Sequence, residues 1–466
     1  MMIKPLLLTN SLIPITLGLT LLSACQTRTE IPANDDQTLV SDAACQLTGP
    51  VETTTFDADF ASDMDALMSH MLERGIAPGA VMAINQKGQT VFSRAYGYAD
   101  SETQKAMEAD ALFRIYSMTK PVTTIAALQL VDRGLIALDD PISEHLPDFS
   151  AIKVATDATG QTVRDPSHAP TVRDLMRHTT GLTYRMGAKT DPIAALYAEL
   201  GIPAGPGVSD APTNGMDPVV GDDAFIARIV QAPLKHDPGV KFTYGNSTDV
   251  LGALVAAVSG QSLGEYMKEN IFAPLGMTDT TFQLPADRTD DFTSAYIVTP
   301  QAPSGSPVDY TVPIEALEPQ MPYRLDPYDA SLYANAPDLE YGGAGLISDA
   351  DDYLTFTQAL IDARPRLVSD RLWEEATRDQ LSDAARASAA FLGKRGFGLG
   401  FAVRDGATHL DPVFPQCGLF WAGAASTYFW IDEETDTTGV LMTQVFEGDV
   451  RSYFNEMLSR IYADRG

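Results

Sequence analysis

The chain reads as an α+β protein. One antiparallel sheet is built from both ends of the sequence, flanked by an N-terminal and a C-terminal helix, with a mostly helical insert between. Three observations predict this. A helix pattern and a strand hairpin open the folded part, helical spacing dominates the middle, and two strand-like runs with a last helix pattern close it.

Phe56–Arg74 sets Phe60, Met64, Leu67, Met68, Met71 and Leu72 at helical spacing and stops at Gly75. Gly79–Asn85 and Thr90–Tyr98 are short strand-like runs around Gln86-Lys87-Gly88, a hairpin signal. Ser117–Arg133 and Val172–His178 predict helices, the second with Thr171 and Asp174 in a capping-box pattern. Residues 183–221 and 297–343, rich in Gly, Pro, Asp or Tyr, predict long irregular loops of the kind that form lids or pocket walls. Ser426–Asp432 and Thr438–Gln444 predict strands joined by the acidic turn Glu433–Thr437, and Val450–Tyr462 predicts the closing helix.

Composition narrows the function classes. The chain has 466 residues, 45 % of them hydrophobic, which is ample for a packed core. Its net charge of −30 repels phosphate backbones and argues against a nucleic-acid partner. Three cysteines, Cys25, Cys45 and Cys417, are too few for a disulfide-stapled small fold or a multi-cysteine zinc site. No metal and no cofactor is expected.

The N-terminus reads as an address. Lys4, the mostly apolar run Leu6–Leu22 and the small residues before Cys25 describe a secretory signal peptide; the run is short and interrupted for a membrane span. Leu22-Ser-Ala-Cys25 also resembles the bacterial lipobox, in which the cysteine is lipidated, and Gln26 after it resembles the outer-membrane sorting pattern. The expected organisation is a lipoprotein signal peptide at 1–24, a tether at 25–57 and one catalytic domain at 58–466. Within that domain an α/β part spans about 58–150 and 340–466, and the insert about 151–339. The expected location is exported, lipid-anchored, facing the periplasm or on the outer membrane. Export would let Cys45 and Cys417 pair; sequence leaves that open, as it does the oligomeric state.

Three serine patterns compete for the role of nucleophile. Gly260-Gln-Ser262-Leu-Gly264 fits a G-x-S-x-G elbow, but a helical run precedes it and Ser262 with Glu265 reads as a capping box. Ser150-Ala-Ile-Lys153 has no helical context. Ser117-Met-Thr-Lys120 opens a helix in which Val122, Ile125, Leu128 and Val131 recur on one side and Gly134 ends the run. With Ser117 at the cap, Pro121 falls at the fourth position, where a missing N–H costs nothing. Ser117 then lies at the positive end of the helix dipole, and Lys120 returns to the same face three residues on. A serine hydroxyl needs a neighbouring base, and a partly desolvated lysine can serve as one. The plainer alternative is a capping serine and a solvated lysine. Tyr-x-Asn occurs at 244–246, 333–335 and 453–455, and only Tyr244-Gly-Asn246 lies between a turn, Asp237-Pro-Gly239, and a helix start that Asn246 or Ser247 would cap.

These segments together resemble the serine β-lactamase-like hydrolase superfamily, which holds class C β-lactamases, D-alanyl-D-alanine peptidases and family VIII carboxylesterases. The resemblance covers roughly 58–462 and rests on Tyr116-Ser-Met-Thr-Lys-Pro121, His178-Thr-Thr-Gly-Leu182, Pro238-Gly-Val-Lys-Phe-Thr-Tyr-Gly-Asn246, Pro274-Leu-Gly-Met277, Gly342-Gly-Ala-Gly-Leu346 and Phe420-Trp-Ala-Gly423, in that order. It implies the β-lactamase/transpeptidase-like fold and assigns roles. Ser117 looks like the acylated nucleophile, Lys120 its base, Tyr244 the proton shuttle, and Asn246 a side chain positioning Lys120 and substrate. The third element of the family is usually Lys-Thr-Gly or His-x-Gly on an edge strand; here Trp421-Ala-Gly423 fills it. The backbone N–H groups of Ser117 and Ala424 would form the oxyanion hole.

A lysine or histidine in that element offers a cation to a carboxylate; Trp421 offers an aromatic wall, to which Phe420, Tyr428 and Phe429 would add, some of them belonging to the core. W-x-G resembles the family VIII carboxylesterases. The expected function is hydrolysis of short-chain carboxylic esters through an acyl-enzyme on Ser117, with Trp421, Asn246 and Gly423 positioning the substrate. The alternatives are a β-lactamase or D-alanyl-D-alanine carboxypeptidase on the same residues, acyl transfer to a small alcohol, and an inactive binding protein. Expected partners are a small ester or β-lactam-like substrate and a membrane reached through lipid on Cys25.

Overall fold

The computed structural model describes residues 54–187, 190–203, 205–206, 219–298, 320–362, 367–393, 395–403 and 418–462. The expected signal peptide, Cys25, Cys45 and Cys417 lie outside the described residues, as do parts of both expected loops.

Helix α1 (Ala58–Glu73) starts where the Asp57 carboxylate accepts the N–H groups of Asp59 and Phe60, both at 3.0 Å. It buries Met64, Leu67, Met68 and Met71, four of the six positions its periodicity marks. Strands β1 (Gly79–Gln86) and β2 (Gln89–Asp100) form the expected hairpin; Lys87 and Gly88 between them take φ of 53° and 72°, the left-handed pair a two-residue turn needs.

Six further strands complete the main sheet: β3 (Lys105–Ala106), β4 (Gly396–Phe397), β5 (Ala402–Val403), β6 (Leu419–Gly423), β7 (Thr427–Asp432) and β8 (Thr437–Met442). Their order is β4-β5-β6-β7-β8-β1-β2-β3, with every pair antiparallel. The two ends of the chain meet in the β1–β8 pair, in register from Val81↔Met442 to Gln86↔Thr437.

On one face α1 packs against the closing helix (Val450–Ile461), Tyr453 Oη lying 2.9 Å from His70 Nδ1. Phe454 of that helix stacks on Tyr428 at 4.6 Å and on Phe420 at 5.9 Å. These two aromatics therefore belong to the core on this face, although the Phe420 ring also meets the edge of Trp421 at 6.3 Å. Successive side chains of a strand point to opposite faces. Trp421 and Phe429 occupy the other face, where Phe429 meets Tyr353 and Phe401.

Helix α2 (Thr119–Asp132) is buried on all sides from Thr119 to Leu130, whereas a one-sided stripe was expected. The reason is its place between sheet and insert, which requires its polar residues to find internal partners; Thr123 Oγ1 donates to the Gly342 carbonyl at 2.7 Å. The capping boxes at Thr171/Asp174 and Ser262/Glu265 both form, so Ser262 is a helix cap. Ser150 is exposed in a short 3₁₀ segment, and Lys153 pairs with Asp165. The insert is not purely helical. Ala295–Val298 pairs with Pro322–Asp326, inside the stretch expected to be irregular, and with Val445–Phe446.

Arg114 fastens these parts together behind residue 117. Fully buried, it donates to Thr293 O (2.7 Å), Asp326 Oδ2 (2.6 Å), Ser331 Oγ (2.9 Å) and Gln444 Oε1 (3.3 Å), and stacks on Phe292 at 4.0 Å. Removing one partner of such a buried pair strands the other charge. Arg114→Leu is expected to lower unfolding free energy by about 3–5 kcal/mol in denaturant titrations. Arg114→Lys should recover only part, because a point charge cannot fill the planar fork.

Asp349 gives a pH-dependent term. Burial first, then the like charges of Asp352, Asp279 and Asp351, push its carboxyl up to about 7 from an ordinary value of 3.8, against an opposing hydrogen bond from the Asp352 N–H. The folded state thus holds a proton that the unfolded chain releases. The contribution is complete below about pH 3.8 and is lost as pH rises through about 7. Asp349→Asn keeps the acceptor for Asp352 N–H and removes the titration. Between pH 4 and 7, its melting temperature is expected to fall less with rising pH than that of the unmodified protein.

Candidate active site

Ser117 sits in a single 3₁₀ turn, Tyr116–Met118, ahead of α2. It is not the helix cap: Met118 holds that position, no side chain caps the helix, and Pro121 is the third helical residue rather than the fourth. The hydroxyl is therefore not consumed by helix N–H groups. Lys120 follows in the first turn of α2, and its Nζ lies 3.1 Å from Ser117 Oγ. Tyr116, just before the serine, takes a φ of 43°, a conformation unfavourable for a residue with a Cβ. Its ring is held edge-on against Phe446 at 5.3 Å, so packing maintains the strain.

Lys120 is 1 % exposed, which rules out the solvated lysine. Its Nζ also donates to the Gly343 carbonyl at 2.6 Å and meets Tyr184 Oη at 3.1 Å. Tyr184 is the residue that sequence reasoning passed over. It lies two positions past His178-Thr-Thr-Gly-Leu182, and nothing in local spacing marks it. The segment 178–184 runs beside 235–246 through Lys235 N–Gly181 O (2.9 Å), Gly239 N–Thr179 O (2.8 Å) and Thr243 N–His178 O (2.8 Å). That pairing brings the two phenols together, their ring centroids 5.7 Å apart. Tyr184 touches the amine through its oxygen. Tyr244 meets it with its ring, the centroid 4.7 Å from Nζ. Tyr184 is buried, whereas Tyr244 is half-buried.

Charges around the amine are shaped by burial. Burial pushes the Tyr184 phenol up, helped by Asp249 and Tyr244, so it stays protonated. His178, packed 4.8 Å from the Tyr244 ring, is held neutral by burial and by the charge of Lys120. Asn246 takes the helix-cap position before α3 (Ser247–Ser259), but neither it nor Ser247 caps with its side chain. Asn246 Nδ2 donates to Pro203 O at 3.1 Å and Asp249 Oδ2 at 3.0 Å; Ser247 Oγ pairs with Thr180 Oγ1 at 2.9 Å. Asn246 thus reaches the lysine only by way of Asp249 and Gly343.

Trp421 is 5 % exposed and packs against Tyr244 (5.6 Å) and Phe397 (5.1 Å). The aromatic cluster around Trp421 therefore consists of Tyr244 and Phe397, with Phe242 behind Phe397 and the sequence neighbour Phe420 at 6.3 Å. Residue 423 must be glycine: a Cβ there would lie 2.4 Å from the Ile115 carbonyl and 2.1 Å from Thr427 Oγ1. Its absence lets the end of β6 close on the turn carrying Ser117. Ala424 follows at an exposed turn. β6 is not a sheet edge along its whole length, because β5 pairs with Leu419 and Phe420.

Away from this centre, Asp140, Glu144 and His145 bring three ligand atoms within 4.8 Å of one another, although Asp140 Oδ2 already accepts the Ala137 N–H at 2.7 Å. Two surface cavities of about 470 and 730 Å³ are lined by other residues than Ser117, Lys120, Tyr184 and Tyr244.

Chemically, the arrangement offers a hydroxyl with an amine at hydrogen-bond range and two phenols beside it, groups of the kind that nucleophilic and acid–base chemistry needs, with an aromatic ring in place of a cation at position 421. The beta-lactamase family model matches residues 64–461. An uncharacterised Mycobacterium tuberculosis protein is 31 % identical over 385 residues, covering 80 % of this chain and 86 % of its own. Esterase EstB of Burkholderia gladioli is 29 % identical over 418 residues, covering 85 % and 95 %. Among solved structures, EstCE1, described as a hydrolase with promiscuous acyltransferase activity, superimposes with a TM-score of 0.69 at 25 % identity over 86 % of this chain and 98 % of its own. A variant of simvastatin synthase from Aspergillus terreus shares the fold, with a TM-score of 0.67 at 24 % identity over 88 % and 99 %. The α+β architecture is thus the β-lactamase/transpeptidase-like one, and the chain belongs to the beta-lactamase family.

Proposed function

We propose that the protein is a serine hydrolase that cleaves short-chain carboxylic esters through an acyl-enzyme on Ser117. The observation that carries this reading is the 3.1 Å approach of Lys120 Nζ to Ser117 Oγ, with the amine fixed by two further partners. Lys120 takes the hydroxyl proton as Oγ bonds to the ester carbonyl carbon. The backbone N–H groups of Ser117 and Ala424 hold the resulting oxyanion. As the carbon–alkoxide bond breaks, the proton passes from Lys120 through Tyr244 to the leaving alcohol. Water then attacks the acyl-enzyme along the reverse path and releases the acid. Tyr244 is assigned the shuttle because it is half-buried and its ring lies over the amine, while Tyr184 is enclosed and holds the amine. The same intermediate would acylate an alcohol in place of water, the reaction class named for the relative calJ of Penicillium decumbens, 28 % identical over 379 residues.

Ester preference over β-lactams rests on Trp421. In place of a cation it presents a buried ring packed on Tyr244 and Phe397, which favours a neutral, apolar substrate. EstB, an esterase by name, supports the same reading. We further propose that the enzyme works outside the cytoplasm, held by lipid on Cys25; the signal pattern before that residue supports this.

Intact-protein mass after brief exposure to an ester panel and a penicillin tests the scheme. The expected result is an acyl mass that maps to Ser117 and vanishes in Ser117→Ala, with a lipid mass on the Cys25 peptide. An unchanged adduct in Ser117→Ala would end the assignment. Substrate class is tested by turnover of p-nitrophenyl butyrate against a chromogenic cephalosporin. The ester is expected to be preferred, and Trp421→His should lower the ratio roughly 10- to 200-fold. A cephalosporin turned over faster than the ester by the unmodified protein would overturn the role given to Trp421.

A further inference from the structure

One buried carboxylate, Asp249, has no role in the scheme above, yet it is tied to the residue that holds the catalytic amine. It is the third residue of α3, and its side chain is enclosed. Oδ1 accepts the Gly343 N–H at 2.8 Å and Oδ2 accepts Asn246 Nδ2 at 3.0 Å. Gly343 in turn offers its carbonyl to Lys120 Nζ at 2.6 Å. The residue is therefore gripped from both sides, by the carboxylate on its N–H and by the lysine on its carbonyl. A Cβ at position 343 would lie 2.9 Å and 3.1 Å from the two carboxylate oxygens, so the grip requires glycine there. The preceding residue is clamped too: Gly342 gives its carbonyl to Thr123 Oγ1 of α2, and a Cβ on it would lie 2.6 Å from Thr248 O of α3.

We propose that Asp249 is a positioning residue for acylation: its carboxylate fixes Gly343 so that the carbonyl directs Lys120 toward Ser117, and it supplies the counter-charge for the proton Lys120 carries during the reaction. The proposal rests on Ser117 being the nucleophile. Lys120 takes up a proton when Ser117 attacks and returns it when the alcohol leaves. A negative charge beside it stabilises the protonated interval, in surroundings where water is excluded. The titratable groups facing this point are Lys120, Tyr184, Tyr244 and His178. Burial raises the Asp249 carboxyl above its ordinary value, and Lys120 and the donors Gly343 N–H and Asn246 Nδ2 offset that rise only in part. Every hydrogen-bond partner of its side-chain oxygens given above is a donor, as an ionised carboxylate requires.

Asp249→Asn separates holding from charge. Its carbonyl oxygen still accepts the Gly343 N–H; the new NH₂ group faces Asn246 Nδ2, and a flipped Asn246 amide that accepts from it gives up its bond to Pro203 O, a loss the thermal melt reports. The experiment measures the rate of Ser117 labelling by a fluorophosphonate probe as a function of pH, together with kcat and KM on p-nitrophenyl butyrate, after a thermal melt verifies folding. Expected are labelling and kcat reduced roughly 10- to 100-fold with KM little changed, a displaced acid limb of the pH profile, and a larger loss in Asp249→Ala. If Asp249→Asn does not fold, Gly343→Ala is decisive; it keeps every charge but drives the carboxylate from the loop, and the same slowed labelling is expected. Folded variants that label at the unmodified rate with an unmoved pH profile overturn the proposal and leave Ser117 as nucleophile intact. Absence of labelling in the unmodified protein would instead bring down the nucleophile assignment, and this proposal with it.

Discussion

A buried amine constrains everything around it. Taking an ammonium out of water costs several kcal/mol unless its donors meet acceptors, and Lys120 is almost wholly enclosed. Its three neighbours solve the problem in a way that suits two protonation states. The Gly343 carbonyl can only accept, so it fixes one N–H. Tyr184 takes a second through its oxygen, and the remaining direction faces Ser117 Oγ. In the neutral amine that direction is a lone pair that receives the serine proton; in the ammonium it is a third donor. The proton can be taken up and returned with the surrounding groups already in place, the condition under which electrostatic preorganisation is effective.

That cage draws on distant parts of the chain. Ser117 and Lys120 are local to one turn, but Tyr184 arrives through the ladder between 178–184 and 235–246, and Gly343 through a loop wedged between α2 and α3. The turn itself is pressed from the front by the end of β6, where only glycine fits against Ile115, and held from behind by Arg114. The positive φ of Tyr116 survives because those contacts surround it. The sheet formed from both chain ends is therefore the platform on which the serine turn is aimed.

How much of this could be read from residues alone divides along the same line. Helix α1, the hairpin, the two capping boxes and the closing helix follow from local periodicity and turn chemistry, and the structure has them within a few residues of the expected bounds. Ser117 with Lys120 was legible because both lie within one turn. Tyr184, Asp249 and Gly343 were not, since their meaning depends on loops that pair across long stretches of sequence. The structure amends two readings for related reasons. Ser117 was expected to cap a helix that in fact begins two residues later, because a 3₁₀ turn intervenes. Of Phe420, Tyr428 and Phe429, expected to add to the Trp421 wall with some of them in the core, strand alternation sends Tyr428 onto Phe454 in the opposite core and leaves Phe420 touching both Phe454 and Trp421, while Phe397 packs on the tryptophan.

The position of Trp421 ties substrate choice to proton transfer. Its ring rests on Tyr244, whose ring in turn lies over the lysine amine. A residue that defines an apolar wall for the substrate is thus also part of the packing that orients the half-buried phenol. Replacing it by a cation would add an anchor for an anionic substrate and at the same time remove a contact from Tyr244, next to a second positive charge on Lys120. Like charges at close range in a poorly hydrated site repel strongly. In this framework, a single substitution at 421 shifts the ratio between neutral esters and carboxylate-bearing substrates at a cost in rate; to recover the rate, the phenol must be re-supported and the lysine re-screened as the cation enters. The tryptophan and the tyrosine behave as one unit because they are packed as one.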